Sequence, residues 1–320
     1  MSRTAVVCAI VLVLCASVNV GSVSGATLLP TDLGGVRLWL DASDVDSNGV
    51  AGGTYVSGGT ATWQDRSGNN YDVSQASVSS RPTLGTRTLN GLPLMSFDGN
   101  DWLYRFDAAG FTGNPAVTVF ALTLNAPVLV EGDHKRILQM GANGNSYGKT
   151  YGFGIDSSWR FNGHPSFGQY VYRQFGNDAL TGTEPAIGIW RSSANTPLSD
   201  KEFYRNSTVE AGATYIYGAT AIPNLSNEAL GVGATWRSDG IATVTNPSNF
   251  YVGDLAELIV FDRALTTEEM ESVGYYLQTK WGVEDATFVP EPGTFALLGV
   301  GAVGLLGFAW RRRGTRNSRR

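Results

Sequence analysis

The body of this chain reads as an all-β sandwich or barrel, on three observations. Forty of its 320 residues are glycine. Gly, Asn, Ser and Thr cluster as turn signals between short alternating polar and apolar runs, the pattern of many short strands. Only residues 266–282 carry a convincing helical stripe with start and stop signals. No fixed-period repeat and no Pro- or Ser-rich linker divides the middle, so one domain is expected over 27–288.

The elements follow in order. Residues 36–41 alternate and open as the first strand. Short strands are expected at 62–65 and 71–73, on either side of a turn at 66–70. Arg81-Pro82 begins an irregular section. Runs at 92–97 and 102–106 flank Asp98-Gly99-Asn100-Asp101, a hairpin signal. The nearly continuous apolar run 116–124 reads as a central strand covered on both faces, with 136–140 as a further strand. Aromatic-rich strands follow at 151–155, 159–161 and 169–175, then at 187–191, 203–205, 215–217 and 230–236. Residues 250–261 form the strongest strand, apolar on both faces. In the helix, Thr266 and Glu269 make a capping box. Met270, Val273, Leu277 and Trp281 make the buried stripe, and Gly282 ends it.

Both ends are distinct from this body. Residues 1–26 have a basic start at Arg3, an apolar core at 5–16 and small residues at Ser24-Gly25-Ala26, and read as a signal peptide. The only cysteines, Cys8 and Cys15, lie within it, so the mature body must be held by its core, or with help from bound calcium. At the other end Val289-Pro290-Glu291-Pro292 excludes helix and sheet. The uncharged run 293–310 would reach ~27 Å as a helix, near the lower limit for a bilayer core of about 30 Å. Arg311-Arg312-Arg313 and the basic residues to Arg320 belong on the cytoplasmic side.

Trimming both ends leaves 16 basic and 27 acidic residues in the body, a net charge of −11. Such a surface repels phosphate backbones, so nucleic acid is excluded as a partner.

The tail resembles the PEP-CTERM sorting signal of Gram-negative bacteria, over 289–313. The resemblance implies cleavage near Pro290, Glu291 and Pro292 by an exosortase-type transpeptidase. It further implies transient engagement of the inner membrane and delivery to the cell surface or an exopolysaccharide matrix. The blocks Leu38-Trp39-Leu40-Asp41-Ala42, Trp63-Gln64-Asp65-Arg66-Ser67-Gly68-Asn69, Arg81-Pro82, Phe97-Asp98-Gly99 and the run Gly253 to Leu265 with its helix are similar to a laminin-G-like jelly roll of the concanavalin A-like lectin/glucanase superfamily. The implied fold is a two-sheet antiparallel sandwich with one C-terminal α-helix. The implied roles are carbohydrate binding, adhesion or, in some members, glycoside hydrolysis.

Hydrolysis by this fold calls for carboxylates on one strand face about 5 Å apart. The nearest pair, Glu257 and Asp262, is five residues apart and points to opposite faces of a flat strand. Glu257 is therefore read as a hydrogen-bonded structural carboxylate, and His134 and His164 as surface or loop residues. No nucleophile elbow, zinc-protease helix or phosphate loop is present.

Asp41, Asp44, Asp46 and Asn48 precede Gly49, a spacing of oxygen ligands that suits calcium. Tyr55 stands where a calcium loop needs its final glutamate, so the site is partial, and a solvated polar turn is the competing reading.

Nine aromatics crowd residues 147–175: Tyr147, Tyr151, Phe153, Trp159, Phe161, Phe167, Tyr170, Tyr172 and Phe175. Most are expected in the sandwich core. Trp159, Tyr170 and Tyr172 are the candidates to stack on sugar rings, with Asn162, Gln169 and Arg173 as hydrogen-bonding neighbours. The expected function is non-catalytic binding of polysaccharide. A divergent glycoside hydrolase or lyase and a purely structural matrix protein are the alternatives.

Overall fold

The computed structural model describes residues 28–50, 58–124, 135–141, 150–155, 159–164, 170–175, 184–217, 224–238 and 244–289. They belong to one compact unit, Leu28–Pro290. The expected signal peptide and the tail from Pro290 onward lie outside the described residues. Among the described residues no helix is long and apolar enough to cross a membrane.

In chain order the strands are β1 (Val36–Asp41), β2 (Thr62–Trp63), β3 (Val73–Ser74), β4 (Thr83–Leu89), β5 (Leu92–Asp98), β6 (Leu103–Arg105), β7 (Val117–Leu124), β8 (Lys135–Met140), β9 (Thr150–Ile155) and β10 (Trp159–His164). They continue with β11 (Tyr170–Phe175), β12 (Ala186–Ser192), β13 (Glu202–Arg205), β14 (Thr208–Val209), β15 (Gly212–Tyr217), β16 (Leu230–Val232), β17 (Thr235–Ser238), β18 (Val244–Ser248) and β19 (Val252–Phe261), then helix α1 (Thr267–Trp281). Two antiparallel sheets result. The first runs β14-β13-β12-β7-β19-β5-β4, with β1 also beside β19. The second runs β15-β11-β10-β9-β8-β16-β6-β3-β2, and β17 pairs with β18 as a separate ribbon.

The first sheet is organised on β19. Nine of its ten residues are buried, and its neighbour β7 is buried throughout. Such strands must be apolar on both faces, which is why both runs stood out in the sequence. The register sorts the faces. Leu258 and Val260 pair with Leu40 and Leu38 of β1 and with Ala121 and Val119 of β7, and turn toward the second sheet. Trp190 of β12 and Phe203 of β13 lie on the same side. Trp190 sits 5.1 Å from Trp159 and 5.8 Å from Phe153, ring to ring, and its Nε1 donates to the Arg160 carbonyl at 3.1 Å. Gly188 has no room for a side chain there, since a Cβ would come within 2.7 Å of the Trp159 ring.

The opposite face of this sheet carries Trp39, Asp41, Glu257 and Ile259 and is covered by α1. The helix starts and stops as its sequence implies. Thr266 Oγ1 accepts from the Glu269 N–H at 3.2 Å, and Glu269 Oε2 accepts from the Thr266 N–H at 2.9 Å. Gly282 ends the helix in the left-handed conformation. The expected stripe is buried, joined by Gly274 and Tyr276.

Beneath α1 lies a buried charge node. The Glu257 carboxylate accepts from Trp39 Nε1 at 2.6 Å, Trp281 Nε1 at 2.6 Å, Tyr276 Oη at 2.8 Å and Lys280 Nζ at 3.1 Å. Asp41, its cross-strand partner, accepts from Lys280 Nζ at 2.5 Å and from the Arg66 guanidinium. Arg66 stacks over the Trp39 ring at 4.4 Å. Burial first, and the Asp41 charge next, push the Glu257 carboxyl above its ordinary value, against the pull of Lys280 and the two indoles.

Two expectations change. Asp98-Gly99-Asn100-Asp101 turns the chain, but from β5 in the first sheet to β6 in the second, so it is a crossover and not a hairpin. The tight hairpin is Asn90-Gly91, both residues with positive φ, joining β4 to β5. β4 occupies the stretch expected to be irregular. It is an edge strand with most side chains in solvent, so no apolar alternation marks it.

Removing the node carboxylate leaves two indole N–H groups and the Tyr276 hydroxyl without their acceptor, and Lys280 with the Asp41 carboxylate alone. Glu257→Ala is expected to lower the unfolding free energy by about 3–5 kcal/mol in urea titrations. Asp262→Ala, which breaks only a surface pair with Arg37, is expected to cost under about 1 kcal/mol.

Candidate functional site

The aromatic stretch divides by strand alternation. Tyr151, Phe153, Trp159, Phe161 and Phe175 point into the sandwich and are buried. Trp159 is therefore corrected from a stacking candidate to a core residue. Its ring lies between Trp190 and Phe203, at 5.1 and 4.9 Å. Arg173 also takes the inner side, stacked on Phe175 at 5.3 Å. Tyr147, Phe167, Gln169 and His134 lie outside the described residues, as do the side chains of Tyr170 and His164.

The residues that alternate with the core set form the outer face of the second sheet. Paired residues on neighbouring strands point the same way, and one lateral row crosses eight strands. It runs Ser74, Tyr104, Gly231, Gln139, Gly152, Asn162, Tyr172, Tyr215. At the usual strand spacing the row is about 34 Å long. A second row beside it runs Arg136, Gly154, Arg160, Gln174, Ala213.

The chemistry of this face is uneven along its length. At one end Tyr172 and Tyr215 stack at 4.7 Å, nearly parallel, with Tyr215 43% exposed. Arg160 lies over the other side of Tyr172, at 4.3 Å. At the other end Tyr104 stacks on Trp102 at 4.9 Å and meets Phe106 edge-on at 5.4 Å, with Phe106 45% exposed. Between them sit Gln139, Asn162, Arg136 and Arg160, all buried, over glycines at 152, 154 and 231. Gly152 matters here: a Cβ would stand 2.7 Å from the Arg136 guanidinium, so the missing side chain lets that arginine lie flat on the sheet. Among the described residues this face carries no carboxylate.

Asn162 and Tyr172 were legible as candidates. The Trp102-Tyr104-Phe106 ladder was not singled out, although aromatic residues at every second position were its signal. Tyr215, Arg136, Arg160 and Gln139 had none, because their convergence depends on pairing between distant strands.

Among the described residues, the two carboxylates weighed as a hydrolytic pair stand apart. Glu257 is sealed under α1, and Asp262, beyond β19, binds Arg37 on the surface. At the crossover, Asp101 Oδ2 accepts from the Asp98 N–H at 3.0 Å. Burial pushes the Asp101 carboxyl up to about 7; the Asp98 charge adds to the rise, and the Asp98 N–H opposes it. Lys201 Nζ lies 2.5 Å from Ser192 Oγ, a nucleophile-and-base pairing, and burial draws its pKa down to about 8. Both side chains are buried, and the ammonium also donates to Thr196 Oγ1, Asn114 Oδ1 and the Ser193 carbonyl, so the group ties three segments together.

The residues proposed for calcium do not fit it. Asp41 is occupied by Arg66 and Lys280. Asp44 pairs with Arg66 at 3.1 Å and accepts the Asn48 and Gly49 N–H groups, each at 3.0 Å. Asp46 accepts from Asn48 Nδ2 at 2.8 Å. Protein cations thus hold Asp41 and Asp44, and no metal-type cluster forms among the described residues.

Comparison with known proteins adds one assignment. Residues 288–313 match the PEP-CTERM protein-sorting motif. The motif implies export across the membrane, a surface or extracellular location and processing by an exosortase. No curated protein matches the chain. Among solved structures, it is similar to domain 4 of AbnA, a GH43 extracellular arabinanase from Geobacillus stearothermophilus, in complex with arabinotriose, at 10% identity, 75% coverage of this chain, 98% of that chain and TM-score 0.45. It is similar to Trypanosoma rangeli sialidase in complex with sialic acid at 16% identity, 80% coverage of this chain and TM-score 0.46, spanning 34% of that chain. The Ruminococcus gnavus IT-sialidase CBM40 matches at 9% identity, 55% coverage of this chain, 93% of that chain and TM-score 0.39.

Two outcomes follow for the acidic groups. Because the folded-state value of Asp101 is raised, its contribution to stability is full below about pH 4 and is lost as pH rises through about 7. Asp101→Asn is expected to flatten the decline of melting temperature between pH 4 and 8. Melting curves recorded in chelator and in millimolar calcium are expected to coincide.

Proposed function

We propose that the exported body binds polysaccharide along the outer face of the second sheet, without cleaving it, at the cell surface or in the exopolysaccharide matrix of a Gram-negative bacterium. The observation that carries this reading is the register row. It sets aromatic stacks at both ends of an about 34 Å row. The amides of Gln139 and Asn162 lie in the middle of that row, and the guanidinium groups of Arg136 and Arg160 lie in the row beside it. Sugars offer apolar ring faces and equatorial hydroxyls, which call for flat aromatics beside planar, multiply hydrogen-bonding side chains. The length suits an extended chain of sugars better than one small ring. The absence of carboxylates on the described part of the face favours binding over hydrolysis, since glycoside cleavage draws on paired acids. The sorting motif supports the same reading, because it implies an exported protein with a surface or extracellular location.

A hydrolase reading has one specific support, the raised Asp101 beside Asp98. Release of reducing sugar that Asp101→Asn abolishes would favour it.

Titration calorimetry of the body against the host's own exopolysaccharide tests the binding reading. Tyr172→Ala with Tyr215→Ala is expected to weaken binding by about tenfold or more, equal to about 1.4 kcal/mol, with the fold intact by circular dichroism. Arg160→Ala is expected to act in the same direction. Undiminished binding in both variants would remove this face as the site.

A further inference from the structure

The body ends where the sorting motif begins. Val283, Ala286 and Phe288 are all buried in the core. The Phe288 ring occupies the space left by Gly274 of α1, where a Cβ would come within 2.3 Å of it. The backbone is held as well. The Phe288 N–H donates to Gln278 Oε1 at 3.0 Å, and the Val289 N–H donates to Glu271 Oε2 at 3.2 Å. The Thr287 and Ser207 hydroxyls share a hydrogen bond of 2.8 Å. The matched sorting motif starts at residue 288. Phe288 and Val289 therefore belong to the fold and to the motif at once, and no spacer separates the two.

We propose that residues 286–289 form an autoinhibitory strap. The exosortase-type processing enzyme engages the motif only after Phe288 and Val289 lift from α1. A peptide-cutting enzyme takes its substrate as extended backbone, with N–H and C=O groups free to pair and side chains free to enter pockets. Susceptibility follows the burial and hydrogen bonding of the backbone concerned. Pro290 and Pro292 have no N–H to offer. The nearest donors on the N-terminal side are the amides of Phe288 and Val289, and both are bound to α1. The Phe288 side chain is buried. Processing then proceeds at a rate scaled by the small fraction of chains whose strap is open. Helix α1 thereby sets how fast the folded body is released, independently of whether the body binds polysaccharide.

The test is pulse–chase of the full-length chain in an exosortase-bearing bacterium, with precursor and processed forms separated by electrophoresis. One variant, E271A/Q278A, removes both side-chain acceptors from the partly exposed side of α1. A second inserts Gly-Ser-Gly-Ser-Phe-Val after Val289, leaving the native strap docked and placing a free Phe-Val before Pro290. Both are expected to be processed about three- to tenfold faster than the native chain, with the melting temperature of the insertion variant unchanged. F288A is expected to match them. Native or slower processing of the insertion variant overturns the proposal, and so does the absence of a processed form from every chain.

Discussion

The Glu257 carboxylate is the group on which the first sheet and its helix depend. It sits on a strand with nine of ten residues buried, away from water, where an isolated charge costs several kcal/mol. Two indoles, a phenol and an ammonium surround it. They come from β1 and from three positions in the last two turns of α1. The observed docking of that helix brings all four donors to one point. Apolar packing would hold α1 against the sheet in several registers at similar energy, whereas a desolvated carboxylate tolerates only the register that satisfies it. The node reaches further through Asp41 to Arg66, and so to the turn around Asp65. Asp65 accepts the Trp39, Ser67 and Tyr71 N–H groups at 2.9 Å each. The first strand, the following turn, the last strand and the helix are thus one assembly.

That assembly explains which parts of the sequence resembled a known fold. The blocks around Leu38–Ala42, Trp63–Asn69 and Gly253–Leu265 are far apart in the chain and meet at this node. Their tryptophans, aspartates and arginine carry the architecture, and no chemistry need be assigned to them. The same view accounts for the acidic loop after β1. Its spacing resembles that of a cation site, and the cations are present as Arg66 and Lys280.

The second sheet serves a different purpose with the same alternation. One side of β9, β10 and β11 supplies Tyr151, Phe153, Trp159, Phe161 and Phe175 to the core; the other supplies the arginine, amide and tyrosine rows. Leaving Gly152 and Gly154 on the outer side lowers the strand propensity of β9. In return the long side chains of the neighbouring strands can lie across the sheet. A face built this way keeps its polar groups in fixed positions on a rigid support.

The sequence by itself determined the class of fold, the two central strands, the helix with both of its ends, and the sorting tail. Each is written in local order: alternation, a doubly apolar run, a capping box, a proline pair before an apolar stretch. It also marked Glu257 as structural, because five-residue spacing on a strand separates it from Asp262. Tertiary structure alone decided which aromatics face solvent, that the 98–101 turn crosses between sheets, and that Tyr104, Gln139, Asn162, Tyr172 and Tyr215 share one row. The physical reason is that a strand's pattern tells which residues lie together on a face, while the partner strand and the register are chosen by contacts between segments distant in the chain. A one-residue change of register would have sent Trp159 outward and Arg160 into the core.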